Sequence, residues 1–141
     1  MDSSNEIKTV IFPVAGLGSR FLPATKVVAK ELLPILNKPL IDYAMTEAIK
    51  AGIEKFIFVT SPEKQSIINY FKKNIKLEDE LKDKNADYLK LINNKLILED
   101  NLIEVIQDKP LGLGHAIWCR SCLFPPDEST HHLVITKRVN N

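Results

Sequence analysis

Two glycine pairs stand in sequence surroundings that suit the binding of an anion. Gly16 and Gly18 lie in VAGLGSR, and Gly112 and Gly114 lie in PLGLGHA. Glycine lets the backbone turn sharply and approach a ligand closely, so that N–H groups converge on an anion. Cationic and hydroxyl side chains follow the first pair: Ser19, Arg20, Lys26 and Lys30. Since such cations reach phosphate oxygens, the first pair predicts a site for a polyphosphate.

A strand is needed to position this turn, and the apolar run from Thr9 to Val14 directly precedes it. Similar apolar runs predict strands over residues 7–14, 55–60, 102–106 and 132–136, with helices over 40–51, 61–76 and 114–123. Strands that alternate with helices imply right-handed crossovers. We therefore expect an α/β, Rossmann-like, mostly parallel sheet with flanking helices, which binds its ligand at the carboxyl ends of the strands.

Local signals refine these boundaries. Pro39 is expected at the first position of helix 40–51, and Gly52 supplies a left-handed stop after it. Ser61 is suited to start the next helix, whose apolar face is expected to continue to Ile75. Residues 76–101 are mixed in charge and are expected to form short helices over the edge of the sheet.

The composition is that of one globular domain, or of part of one, over residues 1–141. Hydrophobic residues make up 45% of the chain and charged residues 26%, which are ordinary values. Nineteen Lys and Arg against 18 Asp and Glu leave a net charge of +1. This balance argues against a general nucleic-acid or membrane-surface binder. With a polar, acidic start and no long apolar stretch, the chain is expected to be cytoplasmic.

The two cysteines, Cys119 and Cys122, have the spacing of some metal and redox motifs. A zinc site would need further ligands, and the adjacent His131 and His132 suit a metal finger poorly. A redox thiol favours a helix N-terminus, whereas Cys119 falls inside the expected helix. Two half-buried cysteines one helical turn apart are therefore the favoured interpretation, and a metal or redox role is the alternative.

The glycine turn differs from better-known phosphate loops, because Phe21 occupies the third position of a G-x-G-x-x-G pattern and no Walker lysine follows. AGLGSRFLPATKVVAKELLPILNKPLIDYA instead resembles the opening signature of the bacterial UTP–glucose-1-phosphate uridylyltransferases, within the sugar nucleotidyltransferases. QDKPLGLGHAIW resembles their second signature. The resemblance runs from about residue 7 to residue 123, with Ser19 in place of the usual Thr and Ala29 in place of the usual Pro.

This resemblance implies roles for particular residues. Arg20 and Lys30 would be catalytic, acting on the pyrophosphate leaving group and the α-phosphate. Gln107 can offer a donor and an acceptor together, which suits the N3–O4 edge of uracil. The full set of nucleotide-binding residues implied is Ala15, Gly16, Leu17, Gly18, Ser19, Arg20, Lys30, Glu31, Gln107, Gly112 and His115.

The reaction implied is attack of glucose 1-phosphate on the α-phosphorus of UTP, which gives UDP-glucose and pyrophosphate. The family also uses Mg²⁺, held by an Asp shortly after the strand that follows the second signature. Here LVIT at 133–136 is followed by KRVNN, so no metal ligand is predicted in this chain.

We therefore expect residues 1–141 to form the UTP-binding half of the enzyme. The sugar-phosphate half is expected to be missing, so that glucose 1-phosphate binds only if that half is supplied. The sheet edge at 133–136 would be left uncovered, which favours a homo-oligomer. A non-catalytic uridine nucleotide-binding module or degenerate truncated gene product is one alternative, and a thymidylyl- or adenylyltransferase relative is another.

Overall fold

The computed structural model describes residues 7–93, 99–109, 111–121 and 132–134. Four strands form a parallel sheet in the order β5-β4-β1-β6, and two short strands form a separate antiparallel hairpin. The strands are β1 Thr9–Pro13, β2 Pro34–Ile35, β3 Lys38–Pro39, β4 Lys55–Thr60, β5 Leu102–Ile106 and β6 His132–Val134. The α-helices are α1 Leu40–Lys50, α2 Gln65–Phe71, α3 Ile75–Lys82, α4 Ala86–Asn93 and α5 Leu113–Ser121.

Two groups of buried side chains lie on opposite faces of this sheet. On one face, alternate residues of β1 and β4, among them Phe12 and Phe58, pack against α1 and α2. The two rings stack with their centroids 5.0 Å apart. On the other face, Ile11 and Ile57 pack against Ala116 of α5. Burial on both faces explains why these strands are continuous apolar runs, and the expected α/β fold with flanking helices is confirmed.

The bounds of the strands lie close to the predicted bounds. Thr9 pairs with Lys55 and Pro13 with Val59, so β1 is shorter than the predicted 7–14. β4 and β5 have the predicted bounds. β6 lies at an outer position of the described sheet, next to β1. The last two residues of its predicted range, 135 and 136, lie outside the described residues, as do Cys122 and Leu123 of the predicted helix 114–123.

The segment between β1 and α1 is more ordered than a plain loop. It contains three single 3-10 turns, at Ser19–Phe21, Ala24–Lys26 and Lys30–Leu32. The β2–β3 hairpin follows them, and its turn places Leu36 at a φ of 59° with 94% of the side chain exposed. Pro39 belongs to this hairpin and precedes the helix, so the prediction that it occupies the first helical position is wrong.

The predicted helix over 61–76 is two helices. Residues Pro62–Lys64 form a 3-10 turn, and α2 ends at Phe71 because Lys72 is extended, with a ψ of 154°. Asn74 then caps α3, its side-chain oxygen accepting a hydrogen bond from the N–H of Leu77. Ile75 therefore starts a new helix and is 66% exposed, instead of continuing the apolar face of α2.

Short helices do occupy much of the segment 76–101, as expected. They are α3, α4 and a 3-10 turn at Glu99–Asn101, and α3 contacts α4. Within the described ranges, no helix is long and apolar enough to cross a membrane.

Gly52 ends α1 with a φ of 85°, as the sequence predicted. A Cβ atom there would meet nothing within 4 Å, so Gly52→Ala should be destabilising through backbone strain alone, by about 1 kcal/mol. Gly114 is the matched control, because it is helical and its surroundings are equally open. Gly114→Ala should be stabilising by roughly 0.5 kcal/mol. Urea unfolding of both variants tests this, and an equal effect at the two positions would contradict it.

Candidate functional site

The carboxyl ends of β1, β4 and β5 lie side by side. The N–H of Val14, just after β1, donates to the carbonyl of Val59 at 2.9 Å. The N–H of Gln107, just after β5, donates to the carbonyl of Thr60 at 2.7 Å. The first glycine turn and Gln107 thus leave the sheet at the same edge, two strand spacings or roughly 10 Å apart.

The glycine turn is closed by contacts that leave little room for a side chain at Gly18. Gly18 has a φ of 69°, and its carbonyl accepts a hydrogen bond from the Thr25 hydroxyl at 2.7 Å. A Cβ atom at Gly18 would lie 3.2 Å from Thr25 Cγ2 and 3.3 Å from Lys30 Cβ. The backbone angle makes any other residue strained here, and the close packing adds to that cost.

The Lys30 side chain lies against the same turn. An ideal Cβ atom on Gly16 would be 3.7 Å from Lys30 Nζ, and the Lys30 side chain is 40% exposed. Arg20 is exposed on the 3-10 turn that follows Gly18. The structure therefore brings Lys30 to the glycine turn and places the Arg20 backbone next to it.

A buried ion pair connects the residue just after β1 with the 3-10 turn at Lys30–Leu32. Lys64 Nζ donates to the Val14 carbonyl at 2.8 Å and to Glu31 Oε2 at 3.0 Å. The side chains of Lys64 and Glu31 are only 10% and 8% exposed. Glu31 also lies 3.9 Å from Lys30 Nζ. Burying a charge is unfavourable unless an opposite charge lies beside it, so Lys64 and Glu31 stabilise each other in this buried geometry.

Sequence reasoning missed Lys64. A lysine in the first turn after Ser61 and Pro62 is typical of a solvated surface, and nothing in the sequence distinguishes it. Burial lowers the pKa of Lys64 below its ordinary value, while the charge and hydrogen bond of Glu31 act against this and nearby Lys30 adds to it.

The second half of the site contains a pair of polar side chains. Gln107 is only 4% exposed, and its Nε2 lies 2.6 Å from Nδ1 of His115, which is half-buried in the first turn of α5. The His115 ring also lies 5.8 Å from that of Trp118, centroid to centroid. Gly112 immediately precedes α5, with a φ of 93°.

The remaining site residues predicted from the sequence follow β1. Ala15 is buried, Gly16 and Ser19 are exposed, and Leu17 is 77% exposed. The structure therefore separates the predicted residues into two groups at one edge of the sheet. The first consists of the glycine turn, Arg20, Lys30 and Glu31, and the second consists of Gly112, Gln107 and His115.

Metal ligands do not cluster in the part of the chain that the structure describes. Over residues 7–93, 99–109, 111–121 and 132–134, no three His, Cys, Asp or Glu side chains could hold one metal ion together. The described residues thus offer no cluster suited to the Mg²⁺ of the resembled family. Cys119 lies inside α5, as expected, and Cys122 lies outside the described residues.

The chain is similar to known proteins of one family. The Nucleotidyl transferase family matches residues 8–136, so the chain belongs to that family. Among curated relatives, a UTP–glucose-1-phosphate uridylyltransferase of Komagataeibacter xylinus is 46% identical over 114 residues, which are 80% of this chain and 40% of the relative. One of Bacillus subtilis (strain 168) is 44% identical, covering 81% and 39%.

Solved structures agree with this result. A UTP-bound UGPase of Acinetobacter baumannii has a TM-score of 0.78 and 45% identity, covering 83% of this chain and 41% of that one. A UDP-glucose pyrophosphorylase complexed with UDP-glucose has a TM-score of 0.61 and 41% identity over the same shares. Within its family the chain therefore resembles the UTP–glucose-1-phosphate uridylyltransferases, and it spans about 40% of their length.

The ion pair predicts a specific pattern of stability. Lys64→Met keeps the aliphatic stem but leaves the buried Glu31 carboxylate with only the longer 3.9 Å contact to Lys30, which should cost about 3 kcal/mol. The double variant Glu31→Gln/Lys64→Met should recover part of this loss, because no buried charge remains. Lys8→Met is the control, since the exposed Lys8–Glu54 pair has the same 3.0 Å separation and should contribute less than about 1 kcal/mol.

Urea unfolding midpoints of the three variants and of the unsubstituted chain measure these differences in free energy. Equal losses for Lys64→Met and Lys8→Met would show that the buried pair has no special role in stability.

Proposed function

We propose that this chain binds UTP at the carboxyl ends of its strands and forms the nucleotide-binding part of a UTP–glucose-1-phosphate uridylyltransferase. The observation that carries the proposal is the placement of a glycine turn with Lys30 against it and of Gln107 at the same edge of a parallel sheet. The names of the relatives give the nucleotide and the reaction class.

The glycine turn is proposed to hold the triphosphate. Ala15 and Leu17 belong to the same turn, and the backbone from Ala15 to Gly18 would provide N–H donors to the nucleotide. Ser19 and Arg20 would contact the β- and γ-phosphates from the following 3-10 turn. The Lys30 ammonium, held near Gly16, would contact the α-phosphate. Preorganised cations at these oxygens would stabilise the charge that builds up in the transition state.

The second group of residues is proposed to hold the base. The Gln107 amide would pair with the N3–O4 edge of uracil, and Gly112 would contact the same base through its backbone. Glu31, fixed by Lys64, would lie beside the nucleoside. Because the two groups are two strand spacings apart, one nucleotide would extend along the sheet edge from phosphate to base.

The complete reaction is proposed to be direct displacement at the α-phosphorus by an oxygen of glucose 1-phosphate. Arg20 would stabilise the pyrophosphate leaving group, and Lys30 would hold the α-phosphate in line. Positioning and charge stabilisation account for such catalysis without a covalent intermediate. Residues 1–141 are proposed to form the nucleotide-binding part of this domain, and the expected homo-oligomer remains a prediction.

Calorimetric titration tests the base and phosphate roles together. UTP should bind more tightly than ATP, and Arg20→Ala should weaken UTP binding about tenfold but uridine binding less than about twofold, because only UTP carries the charges. Lys50→Ala is the control. Lys50 is the exposed last residue of α1 and lies near the amino end of β4, away from the carboxyl ends of the strands. Equal affinity for all nucleotides, or an unaffected Arg20 variant, would overturn the assignment.

The chain assayed alone is expected to make no measurable UDP-glucose. It spans about 40% of the length of its relatives, and no ligand for the metal ion of the resembled family is predicted from its sequence. A metal can supply several kcal/mol of transition-state stabilisation. A coupled pyrophosphate assay with UTP, glucose 1-phosphate and Mg²⁺ measures this. Pyrophosphate release that depends on all three components would contradict the expectation.

A further inference from the structure

Two lysine side chains share one carboxylate beside the glycine turn. Glu31 Oε2 accepts a hydrogen bond from Lys64 Nζ at 3.0 Å, and Glu31 Oε1 lies 3.9 Å from Lys30 Nζ. The side chains of Lys64 and Glu31 are buried, whereas that of Lys30 is 40% exposed. Of these three charged groups, Lys30 is therefore the one that a ligand in solution can reach.

The two contacts of the Glu31 carboxylate differ in kind. The contact with Lys64 is a hydrogen bond between two charged groups, which is the strong type. The contact with Lys30 is too long for a hydrogen bond, so only the attraction of the charges connects the two groups. Lys64 is also fixed by its hydrogen bond to the Val14 carbonyl at 2.8 Å. Lys64 is therefore the counter-ion that neutralises Glu31.

The charge of Lys30 is left uncompensated by this arrangement. Two ammonium groups surround one carboxylate, so one positive charge remains, and it lies at the exposed Lys30 side chain. Among the residues that the structure describes, Lys30 forms an ion pair with Glu31 alone. Its Nζ lies 3.7 Å from the place where a Cβ atom on Gly16 would be. The uncompensated charge is thus directly beside the glycine turn.

Without the charge of Lys64, the buried carboxylate would have Lys30 as its nearest cation. A buried charge without a partner is unfavourable, so Glu31 would then draw the Lys30 ammonium into a close ion pair. The charge of Lys30 would be compensated within the protein, and its attraction for a phosphate group would decrease.

We infer that Lys64 neutralises Glu31 and thereby keeps the charge of Lys30 available to a phosphate group at the glycine turn. This inference rests on the proposed function, because it assumes that a phosphate group binds beside Lys30. Lys64 is a positioning residue that acts through Glu31, and it contacts no ligand itself. A lysine is buried directly before α2 because a neutral side chain there could not supply the counter-charge.

The test uses inorganic tripolyphosphate as the probe for the anion site and uridine as the probe for the base site, both by calorimetry. Lys64→Met should weaken tripolyphosphate binding on the order of tenfold, which is the scale of one lost hydrogen bond to a charged group. Uridine binding should change less than about twofold, since uridine carries no phosphate.

A second substitution at Glu31 should reverse the loss. In Glu31→Gln/Lys64→Met no carboxylate competes for Lys30, so the affinity for tripolyphosphate should return to within about twofold of the unsubstituted chain. Adding Lys30→Ala to this double variant should weaken binding again, by about tenfold. If Lys64 instead contacted the phosphate or only shaped the turn, the double variant would bind as weakly as Lys64→Met, and the inference would be wrong.

Two further variants control for folding and for net charge. Lys64→Gln retains two N–H donors without the charge and should weaken tripolyphosphate binding as Lys64→Met does. Lys73→Met makes the same change in net charge beside another buried carboxylate, Glu78, which lies 3.6 Å from Lys73 Nζ past the other end of α2. This control should bind tripolyphosphate as the unsubstituted chain does. Normal binding by Lys64→Gln would overturn the inference, because hydrogen bonds alone would then be sufficient.

The outcomes separate this inference from the proposed function. No binding of tripolyphosphate or UTP to the unsubstituted chain would overturn both. Loss in Lys64→Met with recovery in the double variant, but without a preference for UTP over ATP, would support the role of Lys64 and overturn the assignment of the nucleotide. A preference for UTP together with unchanged tripolyphosphate binding in Lys64→Met would overturn the role of Lys64 alone.

Discussion

The ammonium group of Lys64 binds the long segment between β1 and α1 at two places. That segment consists of three single 3-10 turns and a two-stranded hairpin. Lys64 contacts the Val14 carbonyl where the segment begins and the Glu31 carboxylate where its last 3-10 turn lies. The glycine turn and Lys30 lie between these two points, so the bridge fixes the two ends of the segment that contains them. An apolar residue at 64 could not replace it, because the Val14 carbonyl and Glu31 would both lose the hydrogen bond that Lys64 donates.

Much of the architecture could be predicted from the sequence, because the signals are local and strong. The apolar runs of β1 and β4 are buried on both faces, which is why they read as strands without alternation. Gly52 follows α1 with the left-handed backbone that its position indicated. Gln107 directly follows β5 in the chain. Its place beside the glycine turn then follows from topology, since the carboxyl ends of parallel strands meet at the same edge of the sheet.

The rest of the site depends on contacts between residues far apart in the chain. Lys64 and Glu31 are 33 residues apart, and no periodicity connects them, so the buried ion pair was not predicted. The end of α2 was missed because Ile75 falls at a helical spacing from Phe71, although the extended Lys72 and the Asn74 cap interrupt the helix between them. His115 was predicted as a residue of the site, but its contact with Gln107 depends on the path of the chain between β5 and α5.

The closeness of Gly18, Thr25 and Lys30 has an evolutionary consequence. The Thr25 methyl and the Lys30 Cβ occupy the space where a side chain on residue 18 would go, and the Thr25 hydroxyl closes the turn at the Gly18 carbonyl. Residues in such contact do not vary independently. A residue larger than glycine at 18 would be accepted only after the Thr25 and Lys30 side chains had shifted by a few tenths of an ångström. Homologous chains should therefore change these three positions together or keep all three, and the order in which substitutions arise would decide which of them survive.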